Sequence, residues 1–166
     1  IINTENITSP EIPDLIQYKL HRKLRFPFYE FIPDTDIVAA LQKLPIKNPW
    51  MIPTKDNLSL VSQTLSADIV LVVEINKARI RQENSFSFWD DETIETTDVL
   101  LKCYAYSSAD NQYYLLKASH FDSAPLSANS GLLRATTPVI DELLKKLPFS
   151  TIPSSVSTEL KTPIIP

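Results

Sequence analysis

Between Ala67 and Val73 the chain is almost continuously apolar, whereas from Glu74 to Arg81 polar and apolar residues mix. The first half has the make-up of a strand covered on both faces, and the second that of a strand wet on one side. Together they predict one strand from Ala67 to about Glu83, which at about 3.3 Å per residue spans roughly 50 Å. A turn region, "NSFSFWDDE", leads into a second strand over 93–108. In it Val99, Leu101, Cys103 and Ala105 fall on one side, and Leu100, Lys102, Tyr104 and Tyr106 on the other. The polar turn "ADNQ" then precedes a third strand over 113–121. Turns this short make the strands antiparallel neighbours in a meander. The polar half of the first strand is expected to run past the helices as a hairpin arm with the second strand, tipped by "SFSFWDDE".

Upstream, "IINTEN" reads as a strand remnant. Ser9 and Pro10 supply an N-cap and a first-turn proline for a helix carrying Ile12, Leu15, Ile16, Leu20 and Leu24 at helical spacing. "FYEFI" (28–32) reads as a strand ended by Pro33. Residues 34–44 read as a helix capped by Asp34 or Thr35, with Ile37, Val38, Leu41 and Leu44 facing inward. The proline-rich "PIKNPWMIP" (45–53) is expected to be a stiff loop with Trp50 and Met51 tucked against the body. A helix capped by Thr54 follows, with Leu58, Val61 and Leu65 on one face. A last helix from Ser127 or Asn129 carries Leu132, Leu133, Val139, Ile140, Leu143, Leu144 and Leu147, and Pro138 is expected to kink or split it. The pattern predicts an α/β (α+β) fold, a mixed sheet with a long antiparallel C-terminal meander packed by helices. It places one domain at 1–147 and a Pro/Ser-rich extended tail at 148–166.

Composition narrows the chemistry. A single glycine, Gly131, leaves no Gly-rich phosphate cradle of the GxGxxG or Walker type. A net charge of −4 argues against a general nucleic-acid binder, and the basic "HRKLR" at 21–25 suits the carbonyl end of a helix. Cys103 lies in an apolar strand pattern and reads as a small core residue; being alone, it makes no internal disulfide. No segment reaches the roughly 18 apolar residues that a membrane-spanning helix needs. The chain opens without Met, in mid-strand, so the native amino terminus and any signal peptide are expected upstream.

"SHFD" offers Ser119, His120 and Asp122, but neighbours in a strand point to opposite faces, so Ser119 and His120 cannot act as nucleophile and base. His21 has no Cys or His partner at zinc-ligand spacing. "DDE" (90–92) with Glu95 and Asp98 lacks the glycine and alternating oxygen ligands of a calcium loop, and reads as a solvated acidic turn. No cofactor, metal or catalytic residue is expected. The strongest functional feature is the arm tip, where Phe86, Phe88 and Trp89 stand beside Asp90 and Asp91. Three aromatics in four residues fit an interface anchor; the alternative is that they fold back onto the helices or the loop around Trp50.

The order strand, helix, strand, helix, helix, then "SADIVLVVEI" opening a meander and "LLRATTPVIDELLKKLP" closing it, resembles an α/β domain of bacterial envelope proteins. These are the amino-terminal domain of the TolB translocation protein, the curli-secretion lipoprotein and the lipoprotein activators of penicillin-binding proteins. In that group a helix ends at a Gly-Ala-Asp motif that starts a long strand; here Ser66 stands in the place of the glycine. The pattern covers most of residues 1–147. Two departures concern this segment: it has no obvious counterpart of a pore's long alternating segments, and its cysteine, Cys103, sits far inside the sequence, which leaves a lipid anchor to residues upstream. The resemblance implies an exported, extracytoplasmic, non-enzymatic domain. Such a domain would act by protein–protein contact, with a partner or a second copy, through the arm and an exposed sheet edge. The alternative is a small-molecule or lipid carrier, with Tyr29, Trp50 and Met51 lining a pocket.

Overall fold

The computed structural model describes residues 1–3, 10–46, 48, 51–84, 93–126 and 131–152. In chain order it contains β1 (Ile2–Asn3), α1 (Glu11–Lys23), α2 (Asp34–Lys43), α3 (Lys55–Leu65), β2 (Ile69–Asn84), β3 (Thr93–Ser107), β4 (Gln112–Pro125) and α4 (Leu132–Lys146). The strands lie side by side in sequence order. β1 is parallel to β2, and β2, β3 and β4 are successively antiparallel, so the sheet is mixed and the fold is α/β.

Alternation along β3 decides which face is dry. Val99, Leu101, Cys103 and Ala105 point to one face, where Val73, Ile75 and Ala78 of β2 and Ala118 of β4 join them. Ile12, Ile16 and Leu20 of α1 close this core together with Val139, Ile140, Leu143 and Leu144 of α4. Each fully buried Ile or Leu there contributes about 1.5–3 kcal/mol through removal of apolar surface from water. An ion pair from Lys19 to Asp141 at 2.5 Å ties the two helices together. α3 packs on the opposite face near the β3–β4 turn. There the Tyr106 hydroxyl donates to Ser59 Oγ at 3.2 Å, and Tyr113 donates to the Pro53 carbonyl at 2.8 Å. The apolar start of β2 is therefore covered from both sides.

The polar half keeps its alternation by means of a bulge. Ile75 pairs with Leu101 and Lys77 with Leu100, so Asn76 is an extra residue. The shift returns Ala78 to the core face and turns Lys77, Arg79 and Arg81 to the open one.

Several expectations are corrected. Residues 28–32 form no strand: they follow a turn at Arg25–Phe28 that contains a cis Phe26–Pro27 bond, and they pair with no strand of the sheet. α2 is preceded by Pro33 and has no side-chain cap, and of its apolar residues only Ala40 is fully buried, with Val38 exposed. α4 starts after Gly131 and is not split by Pro138. Pro138 and Arg134 are both exposed, so the Arg134 carbonyl, left without its helical N–H partner, faces water. Leu133 lies on that exposed side too. β4 runs four residues beyond its expected end and pairs with β3 as far as Ile94↔Pro125, so the arm is a three-stranded sheet and no two-stranded ribbon. In the segment after 147, Leu147 is buried, Phe149 packs edge-on against Tyr114, and the Ser150 carbonyl accepts from Tyr29.

Two predictions follow from conformation and burial. Ser66 ends α3 in the left-handed region (φ 51°, ψ 40°), which costs an L-residue about 1 kcal/mol or more and glycine little. Ser66→Gly is expected to raise the unfolding free energy by about 0.5–1 kcal/mol in a urea titration, after allowing for glycine's larger unfolded-state entropy. A loss of stability would show that no strain is held there. Cys103 is fully buried, and burial pushes its thiol up to about 12. Against an unfolded value of about 8.5, labelling by a thiol reagent at pH 8 should be about 10³-fold slower in the native protein than in urea. Because the folded value is the higher, this thiol's contribution to stability is complete below about pH 8.5 and is lost as pH rises towards 12.

Candidate functional site: an open strand edge and a polar cleft

The arm-tip residues Phe86, Phe88, Trp89, Asp90 and Asp91, and Trp50 of the proline-rich loop, lie outside the described residues. Tyr29 lines a shallow cavity of about 260 Å³ with Leu24, Phe26 and Phe31. Burial raises the Tyr29 hydroxyl above its ordinary value, and the hydroxyl donates to the Ser150 carbonyl at 2.7 Å. His21 stacks flat on Phe31, with ring centroids 3.7 Å apart. Met51 is not among the residues lining this cavity. Its side chain is 55% exposed, and its carbonyl accepts from the Asn57 side chain.

Ser119 and His120 diverge, as strand geometry requires: Ser119 stands opposite Leu100 on the open face and His120 opposite Val99 on the core face. The register then does what local sequence does not reveal. His120 and Asp122, two apart on β4, share the core face with Glu95 and Thr97 of β3, and Thr97 faces Asp122 directly. The beginning of α4 stands over them. The result is a polar cleft of about 290 Å³ whose floor is Glu95, Thr97, His120 and Asp122 and whose wall includes Gly131 and Arg134.

Glu95 is the correction with most consequence. It is buried within β3 and is no part of a solvated acidic turn. Its Oε1 accepts from the Gly131 N–H and its Oε2 from the Gln82 side chain, both at 3.2 Å. A carboxylate there also suits the positive end of the α4 dipole. The signal was present in the sequence as "TIETTDV": Ile94, Glu95, Thr96 and Thr97 continue the alternation of the apolar strand, which places Glu95 in phase with Val99 and Leu101. Asp98, out of phase, lies on the open face and pairs with Lys77 Nζ at 3.1 Å.

The open face carries a second polar group. Glu74 accepts from the Tyr104 hydroxyl at 2.6 Å and from Asn76 Nδ2 at 2.7 Å, with Lys102 Nζ at 3.7 Å. Burial first, then the hydrogen bond and charge of Glu74, raise the Tyr104 hydroxyl well above its usual value, so it stays a donor. Beyond this group, β4 presents Leu115 at 47% and Phe121 at 72% exposure on the same face. Its outer edge pairs with no described strand. No cluster of His, Cys, Asp and Glu among the described residues is arranged to hold a metal ion. No described helix is long and apolar enough to cross a membrane.

No family model matches the chain, and no curated protein matches it. Among solved structures it is similar to the hypothetical protein CT253 from Chlamydia trachomatis, known at 1.65 Å resolution. The identity is 14%, over 82% of this chain and 77% of that one, with a TM-score of 0.37.

Proposed function

We propose that this chain is a non-enzymatic interaction module that acts by strand pairing between the outer edges of β4 in two copies. The extracytoplasmic setting implied by the resemblance to envelope domains belongs to the same proposal. The observation that carries the reading is the edge itself. Along Gln112–Pro125 one side of the backbone pairs with β3, and the other pairs with no described strand, although on it the Lys117 carbonyl accepts from Lys146 Nζ at 2.6 Å, a contact that strand pairing would displace. An edge of this length is a template for a further strand unless a proline, a bulge or charges blunt it. β4 has its single proline at the very end, and its charges are Lys117 and Asp122, on opposite faces.

Register selects the partner. Residues opposite one another in an antiparallel pair share a face. A twofold axis through Ala118 therefore sets Leu115 of each copy opposite Phe121 of the other, and Lys117 opposite Ser119. The pairing covers the two most exposed apolar side chains of the strand twice over. Centring the axis on Lys117 would bring two ammonium groups face to face, which is unfavourable.

Light scattering at micromolar concentration tests this. The wild type is expected to be a dimer, and the double variant Leu115→Lys/Phe121→Lys a monomer with an unchanged far-UV circular dichroism spectrum, because both side chains are partly or largely exposed and the stability it loses is that of association. A monomeric wild type, or a variant that remains dimeric, overturns the proposal.

A further inference from the structure

The cleft beneath α4 has features that packing alone does not explain. Thr97 lines the cleft, and its hydroxyl makes no hydrogen bond to another described residue. A threonine hydroxyl both donates and accepts, so in the cleft it can serve either end of a polar molecule. Arg134 lines the same cleft and forms no ion pair with Glu95, Asp122 or any other described carboxylate. His120 likewise has both ring nitrogens without a described partner. One wall thus carries a free guanidinium and the floor carries two carboxylates. The opposite charges share a cavity without neutralising one another.

We propose that this cleft binds a small zwitterion of the α-amino-acid class. The ammonium is received on the sheet side by the oxygens of Glu95, Asp122 and Thr97. The carboxylate is received on the helix side by Arg134, whose planar fork matches a carboxylate in two parallel hydrogen bonds. A simple anion would meet Glu95 and Asp122, and a simple cation would leave Arg134 facing the same cavity, so either alone satisfies half the site. Glu95 is preorganised for the task, since Gly131 and Gln82 hold both its oxygens in place. The volume of about 290 Å³ lies at the lower end of small-molecule sites and so limits the ligand to a compact molecule.

The test is an amide chemical-shift titration of the whole chain with each of the common free amino acids at millimolar concentration, beside acetate and methylammonium as single-ended probes. At least one amino acid is expected to give saturable shifts clustered at Thr97, His120, Asp122 and Gly131, with apparent affinity at least tenfold above either single-ended probe. Arg134→Gln, at an exposed position, and Thr97→Val, which keeps the shape, are each expected to weaken that affinity at least tenfold. The proposal is overturned if no amino acid moves those amides, if acetate or methylammonium moves them equally, or if Arg134→Gln binds as tightly as the wild type. Neither variant touches the outer edge of β4, so the oligomeric state of each separates a failure here from a failure of strand pairing.

Discussion

Everything in this fold hangs on β3, the strand hydrogen-bonded on both sides for its whole length. From Ile94 to Ser107 it pairs with β2 on one flank and β4 on the other. Its backbone groups are thereby satisfied, which lets its core face be dry without the desolvation penalty of unpaired amides. Alternation then sorts its side chains. Val99, Leu101, Cys103 and Ala105 meet α1 and α4, and the residues between them meet α3 or the open face. The helices can pack only because this one strand offers an unbroken apolar row.

The bulge at Asn76 reconciles that row with its neighbour. Ile75 and Ala78 are three apart in sequence, which strict alternation would send to opposite faces; one inserted residue brings both to the core. The insertion leaves Asn76 Oδ1 buried without a partner among the described residues, and the amide nitrogen of the same side chain is held by Glu74. Glu74 also accepts from Tyr104, so a local irregularity is braced by a carboxylate shared across two strands. Downstream of the bulge the new phase sets Gln82 opposite Glu95, where it helps hold the carboxylate that meets the start of α4.

Core and cleft are thus two stretches of one face. Near the β3–β4 turn the face is apolar and sealed by two helices. Towards the other end α4 alone covers it, and the row on β3 changes from Val99 to Thr97 and Glu95 while that on β4 changes from Ala118 to His120 and Asp122. The polar residues begin where helix coverage thins, so burial falls off along the sheet in step with the chemistry that water access demands. Pro138 sits on the cleft side of α4, where an unpaired carbonyl is solvated and the helix can continue past it.

Elements with local signals were legible in the amino-acid order. Period-two alternation marked β3 and period-3.6 spacing marked α1, α3 and α4. The short "ADNQ" turn made β3 and β4 antiparallel, and Thr54 announced the start of α3, where its hydroxyl accepts from the Asn57 N–H. Legibility failed where the outcome depends on a partner far along the chain. "FYEFI" has strand composition but pairs with no strand. Val38 and Leu133 have apolar side chains but no facing element, and the end of β4 depends on β3 continuing beside it. The cleft was invisible for the same reason: His120, Asp122, Glu95 and Arg134 are scattered in sequence, and only cross-strand register and the docking of α4 bring them together. Local periodicity is a property of a few consecutive residues, whereas adjacency across a sheet is set by the pairing of whole strands, which only the tertiary structure decides.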